Sequence, residues 1–291
     1  MSRARRLTLL GGVAAAIILM AALLYWVTHQ DTSLSRLQKE GVIRIGYAVE
    51  APYAFLEPGQ EVTGESPEVA RQIVARLAIS HIEWRQVEFG SLIDELQAER
   101  IDVIAAGMFI TPERAKIVSF SEPIFHVNQG LLVAKGNPRQ LHAYEQIQTQ
   151  PNLKIAVLAG STEEHLLLQL GILKNQLVIV PDALTGRIAV EAGVVDGLAL
   201  SAPTIQSMVL QGQVGKVEAA QPFEQPRITE QKHLGYGAFA FRKQDIALLK
   251  AWNALEKGYI GSPEHLRLIA RFGFTQAELP GSTTAQEISA P

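Results

Sequence analysis

Cysteine is absent from all 291 residues. That removes disulfides, thiolate metal ligands, cysteine nucleophiles and a lipid-modified N-terminal cysteine. Histidine is sparse: seven residues are scattered at no metal-ligand spacing, and no HExxH, P-loop or GxSxG sequence occurs. No catalytic residue, metal or cofactor is therefore expected. Neither sign of charge dominates, since the net value is −3 with Lys/Arg and Asp/Glu interspersed. No basic stripe with interleaved aromatics is found, which leaves nucleic-acid binding without support. What the chain does have is length and apolar content. Its 47% hydrophobic residues can fill the cores of two domains of about 100–150 residues each.

One long uncharged run stands at the start. Arg3, Arg5 and Arg6 precede Leu7 to Val27, which as a helix would extend about 30 Å and span a bilayer. Arginines ahead of the run keep the N-terminus cytoplasmic and send the remainder outward. A cleaved signal peptide has a shorter apolar core and a small-x-small site after it. Here the exit reads Tyr25-Trp26-Val27-Thr28-His29-Gln30, with aromatics at interface depth. That favours an uncleaved anchor over a signal peptide for residues 1–30. Either way the rest is exported to the periplasmic or extracytoplasmic face, and no second such run occurs.

From about residue 38 the pattern is α/β. Ile43, Ile45, Tyr47 and Val49 alternate as a strand. Ser66-Pro67-Glu68 reads as an N-cap, a first-turn proline and a dipole-matched acid, with Val69, Ile73 and Leu77 following at helical spacing. Ser91 to Asp94 resembles a capping box with Leu92 and Leu96 buried, and 102–107 reads as the next strand. The rhythm restarts after Gly136-Asn137-Pro138. Strands are expected at 154–158, 177–180 and 196–200, a helix after the Ser161/Glu164 box, and another over 182–191. Residues 221–234 break the order. A strand over 236–241 and helices over 244–258 and 262–271 follow, and 279–291 is Ser/Thr/Ala-rich and expected to be disordered. Two α/β units with a returning section imply a cleft between them, a common ligand site.

Five segments in order carry a resemblance. They are Gly41-Val42-Ile43-Arg44-Ile45-Gly46-Tyr47, Ala51-Pro52-Tyr53-Ala54-Phe55, Gly107 to Arg114 (GMFITPER), Val118-Ser119-Phe120-Ser121-Glu122-Pro123, and Gly160-Ser161-Thr162. Over about residues 38–275 the chain resembles the family 3 extracellular solute-binding proteins of polar amino-acid-type ABC importers. That resemblance implies a two-lobed, type II periplasmic-binding-protein-like fold. Lobe 1 would be 38–134 plus 234–278 and lobe 2 would be 135–233, with hinges near Leu131–Lys135 and Gly235–Phe239. It also implies a monomer that captures a small zwitterionic ligand and hands it to an ABC permease in the cytoplasmic membrane.

By the same likeness Arg114 would hold the ligand carboxylate, a task that suits a planar guanidinium, although an isolated TPER arginine also fits a surface or capping role. Two departures stand out. Family members carry a small hydroxyl residue where this chain has Phe109, and an ammonium-accepting Asp where it has Ser201. Tyr53, Phe89 and Phe109 fall at cleft-facing positions, and aromatic faces suit delocalised or alkylated cations. Glu50 would accept from an N–H-bearing cation. This set is similar to the ectoine- and hydroxyectoine-binding members, as are residues 63–70 and 272–280. Ser161 and Thr162 match the glycine-hydroxyl turn whose free N–H groups meet the carboxylate, while Ser161 can equally cap its helix. Each aromatic also has a core reading, the stronger one for Phe55, and Trp84 and Trp252 read as structural. Betaines, cyclic amino acids and opine-like ligands stay open. So do a sensing role beside a membrane signalling partner and a cyclohexadienyl-dehydratase-like activity with Glu50 as its acid or base.

Overall fold

The computed structural model describes Met20 and residues 31–211, 215–227 and 234–290. The apolar run at 7–27, with its signal-or-anchor reading, lies outside the described residues. Among those described, no helix is long and apolar enough to cross a membrane.

In chain order, the first unit opens with α1 (Ser33–Glu40), β1 (Val42–Tyr47), β2 (Phe55–Leu56), β3 (Val62–Thr63), α2 (Glu65–Arg76) and β4 (His81–Gln86). A single turn at Phe89–Ser91 leads into α3 (Leu92–Gln97), β5 (Val103–Ile104), α4 (Pro112–Ala115), β6 (Val118–Phe120) and β7 (Phe125–His126). The second unit holds β8 (Gln129–Ala134), α5 (Glu145–Gln148), β9 (Ile155–Leu158), α6 (Thr162–Gln169), β10 (Leu177–Val180), α7 (Ala183–Glu191), β11 (Gly197–Ser201), α8 (Ala202–Gln211) and β12 (Val217–Ala219). The chain then returns through β13 (Tyr236–Gly237) and β14 (Ala240–Arg242) to α9 (Ile246–Tyr259), α10 (Pro263–Ala270) and α11 (Ala285–Ser289).

The two sheets have matching layouts, β4-β1-β5-β14-β6 and β10-β9-β11-β8-β12. In each, three parallel strands meet one antiparallel strand that has just crossed from the other unit: β14 in the first, β8 in the second. The inner parallel strands β5, β9 and β11 are buried on both faces, as covered sheets require, whereas β4 and β10 at the sheet edges are largely half-buried or exposed. The first unit's core centres on Trp252, with Phe239 and Phe241 edge-on to its indole. Trp84 sits on β4 with its ring edge-on to Tyr47. Both tryptophans are structural.

Three expectations need correction. Leu131 to Ala134 is no hinge, because β8 pairs along its length with β11 and β12 inside the second sheet. The outward crossing instead falls at Val127–Asn128, just past the β7–β13 ribbon that joins the units. Ser66 does not cap α2. The helix begins two residues earlier, behind Gly64, freeing the Ser66 hydroxyl to donate to Glu65 Oε2 at 2.8 Å and to accept from Gly107 N at 3.2 Å. The C-terminal stretch is ordered as far as it is described. Thr275–Glu278 and Thr284–Glu287 close reciprocal capping boxes. Ile288 is buried, and Ala285 N donates to Glu122 Oε2 at 3.0 Å.

Candidate solute-binding cleft

The site is assembled at strand ends and turns of both units. After β1 the chain folds over itself: Glu50 N donates to Ala54 O at 2.7 Å, and Tyr53 N donates to Glu50 O at 2.9 Å. This turn aims Glu50 and Tyr53 at the second unit. Tyr53 is braced from behind, with its ring stacked on Phe125 at 5.0 Å and tilted against Phe274 at 5.7 Å. Gly107 has φ +63°, and a Cβ there would collide with the Tyr53 ring, so glycine is needed for both backbone and space. Thr111 caps α4 by accepting from Arg114 N at 3.2 Å. In the second unit Ser161 caps α6, accepting from Glu164 N at 3.2 Å.

These elements enclose one small cavity. Its walls include all seven residues singled out above, Glu50, Tyr53, Phe89, Phe109, Arg114, Ser161 and Thr162, together with Gly107, Glu163 and Ser201. The cavity holds about 20 Å³, enough for about one water, because the cleft is closed in this structure. Tyr53 Oη donates to Ser201 Oγ at 2.9 Å, Ser201 Oγ lies 3.1 Å from Thr204 Oγ1, and Thr204 Oγ1 donates to Glu50 Oε1 at 2.7 Å. This loop starts and ends in the first unit and passes through the second. Arg114 adds another bridge, with Nη1 donating to Phe109 O at 2.7 Å and Nη2 to Gly160 O at 2.9 Å across the gap. Backbone meets backbone beside it, where a Cβ on Gly90 would lie 3.0 Å from Ala159 O.

The aromatic residues divide their duties. Phe89 presents its face to the Arg114 guanidinium at 5.5 Å. Phe109 is edge-on to Phe125 at 6.2 Å. Phe55 stands apart and packs edge-on against Phe272 in a different, open groove. Thr162 is buried, and its Oγ1 has no hydrogen-bond partner among the described residues.

Burial shifts three ionisable groups of the cleft. Burial pushes the Glu50 carboxyl up to about 7; the Thr204 hydroxyl opposes that shift and the charge of Glu163 adds to it. Burial also raises Glu163 to about 7, against the pull of its own backbone N–H and of Arg114. Desolvation lowers Arg114 to about 10, with Glu163 opposing. Glu163, Ser201 and Thr204 are the site residues that sequence reasoning missed or read only as departures. An acid one residue past a matched hydroxyl pair at a helix start looks like a dipole complement, although a first-turn side chain can also fold back over the helix end.

Comparison with known proteins fits this architecture. The sequence profile of the bacterial extracellular solute-binding proteins, family 3, matches residues 43–273. The chain belongs to that family. The solved structure of EhuB in complex with hydroxyectoine superposes with TM-score 0.81 at 32% identity, covering 89% of this chain and 98% of EhuB. A probable amino-acid ABC transporter periplasmic-binding protein of Sinorhizobium fredii, y4tE, is 34% identical over 259 residues, 87% of this chain and 85% of the relative. The lysine/arginine/ornithine-binding periplasmic protein of Escherichia coli is 26% identical over 246 residues, 81% and 88% of the two chains. The fold is thus the two-lobed, type II periplasmic-binding-protein-like architecture, each sheet forming the centre of one lobe.

Proposed function

We propose that this chain is the extracytoplasmic solute-binding component of an amino-acid-type ABC importer, and that its ligand is a small zwitterion of the ectoine or hydroxyectoine kind. The observation that carries this reading is a single cavity, reached from both lobes, that joins a guanidinium, a carboxyl and aromatic walls. Arg114 would give the ligand carboxylate two parallel N–H donors, with the Thr162 hydroxyl and the N-terminus of α6 completing the anion site. Glu50 would accept from the N–H groups of an amidinium, with Tyr53, Phe89 and Phe109 sheltering its delocalised charge. At position 201 a compact ammonium would meet a hydroxyl rather than a carboxylate, whereas the aromatic walls suit a delocalised cation.

A ligand of this size enters only when the lobes part about the β7–β13 ribbon and the Tyr53–Ser201–Thr204–Glu50 loop of hydrogen bonds opens. The ligand's own groups then replace those bridges, and closure follows to the extent that it prefers the closed state. The closed form would be the one presented to a membrane permease. The relatives' names as binding and transporter proteins support this over an enzyme or a sensor, and the ligand should be recovered chemically unaltered.

Calorimetry on the full-length protein in detergent tests the assignment with ectoine, hydroxyectoine, glycine betaine, L-glutamate and L-arginine. The cyclic amidinium carboxylates should bind tightest. Phe109→Ala should weaken them by about 0.5–2 kcal/mol, the size of one desolvated cation–aromatic contact. Preference for glutamate or arginine, with ectoine ignored, would overturn the ligand assignment and leave the transport role standing.

A further inference from the structure

We propose that Glu163 makes ligand net charge a selection criterion: closing over a net-neutral ligand takes up one proton, held between Glu50 and Glu163, whereas a ligand of net charge +1 closes the cleft without it. This rests on the proposed capture of a zwitterion. The geometry behind it is an excess of acid in one enclosed space. Glu50, at 9% exposure, belongs to the first lobe and Glu163, at 4%, to the second, and both line the cavity that Arg114 also lines. Among the described residues neither carboxyl enters an ion pair.

The groups facing Glu163 are few. Arg114 supplies the positive charge from α4, and Glu50 the second negative charge. The Tyr53 and Tyr144 hydroxyls also feel it, and burial holds both far from ionisation. Tyr144 donates to Gly130 O at 2.6 Å and Tyr53 donates to Ser201. On its own helix Glu164 turns away to accept from Gly160 N at 2.9 Å.

The charge count follows. Two carboxylates, one guanidinium and a zwitterion leave one uncompensated negative charge in a space that water has left, and such a charge takes a proton instead. In the open cleft both carboxyls are solvated and return to the ordinary glutamate range, about 4.3; in the ligand-free closed cleft burial raises each to about 7, and with the ligand's cation in place one of the two stays ionised, so a single proton is taken up. Proton uptake therefore accompanies closure between those limits. Affinity is highest at the acid end, falls as pH rises through the window, and levels off above it.

The test is calorimetry of ectoine binding to the full-length protein at pH 5, 6, 7 and 8, in paired buffers of different ionisation enthalpy. We expect close to one proton taken up per ligand at pH 6, and a Kd that rises about tenfold per pH unit between pH 5 and 7. Glu163→Gln removes the excess charge, so its Kd should be nearly flat over the same range. Zero proton uptake by the wild-type protein with a flat Kd would overturn the proposal, as would a Glu163→Gln protein that keeps the full slope. Should that variant fail to fold, the wild-type proton count decides alone. No ectoine binding at any pH would instead remove the zwitterion reading, and this inference with it.

Discussion

Two buried charge clusters in this molecule are balanced in opposite ways. Behind the first sheet, fully buried Asp102 is surrounded by cations. Arg44 Nη2 lies 2.8 Å from its Oδ1, and Arg36 and Arg242 each donate at 3.1 Å. Burial alone would raise this carboxyl, yet the Arg44 hydrogen bonds hold it below the usual range. In the cleft the ratio is reversed, with two carboxyls for one guanidinium, and both carboxyls stand at about 7. The first cluster joins α1, β1 and β14 permanently and is over-supplied with donors. The second is left short of positive charge, and under the proposal above a proton makes up the deficit when the cleft closes over a net-neutral ligand. The comparison teaches that structural and functional ion clusters differ less in residue type than in whether the protein completes the charge balance itself.

The largest effect should come from breaking the balanced cluster. Asp102→Ala takes from Arg36, Arg44 and buried Arg242 the carboxylate they share, leaving Arg242 paired with Asp245 alone, at 2.8 Å. It should cost about 3–5 kcal/mol in denaturant unfolding, and a loss under about 1 kcal/mol would show the cluster to be better solvated than its burial indicates.

The pH dependence of stability should differ in sign between the clusters. Asp102 has a depressed folded value, so its contribution is present above pH 3.8, the ordinary Asp value, and is lost as pH falls through the folded value. Glu163 has a raised one, so its contribution is full below 4.5 and is lost as pH rises through about 7. Glu163→Gln should therefore stabilise the ligand-free protein at pH 8 by about 1 kcal/mol and leave it unchanged at pH 4. The gain stays small because opening the cleft gives the ionised carboxylate a solvated alternative. An equal gain at both pH values would point to packing rather than charge.

The smallest effect belongs to α11. Ile288→Ala should cost about 0.5 kcal/mol globally, because a five-residue helix at the chain end can open locally. Faster amide exchange confined to 284–289 would confirm that local opening, whereas a loss of several kcal/mol would make this helix part of the cooperative core.

Much of this was legible in the sequence. Hydrophobic periodicity placed the strands and helices, and the seven site residues do line one cavity. The crossing was misjudged because an apolar run such as Leu131–Val133 announces a buried strand without saying which sheet receives it. Composition hid α11: Ser, Thr and Ala suggest little to bury, yet Thr284-Ala-Gln-Glu287 is a capping-box spacing that could have marked the helix start. Glu163 was missed for a different reason. Its neighbours in the cavity, Glu50 and Arg114, belong to the other unit, and no local sequence pattern encodes a cavity walled by two units.

Gly90 gives the molecule a seam with no side chain in it. Where the lobes touch beside Arg114, bare Cα faces the Ala159 carbonyl, so at this point the approach is set by backbone shape. A single methyl group at position 90 would press on that carbonyl at 3.0 Å, so the seam would have to give by a few tenths of an ångström without any change to a residue that lines the cavity. The same seam therefore offers a handle for setting the resting angle of a sensor built on this scaffold, independently of what the sensor detects.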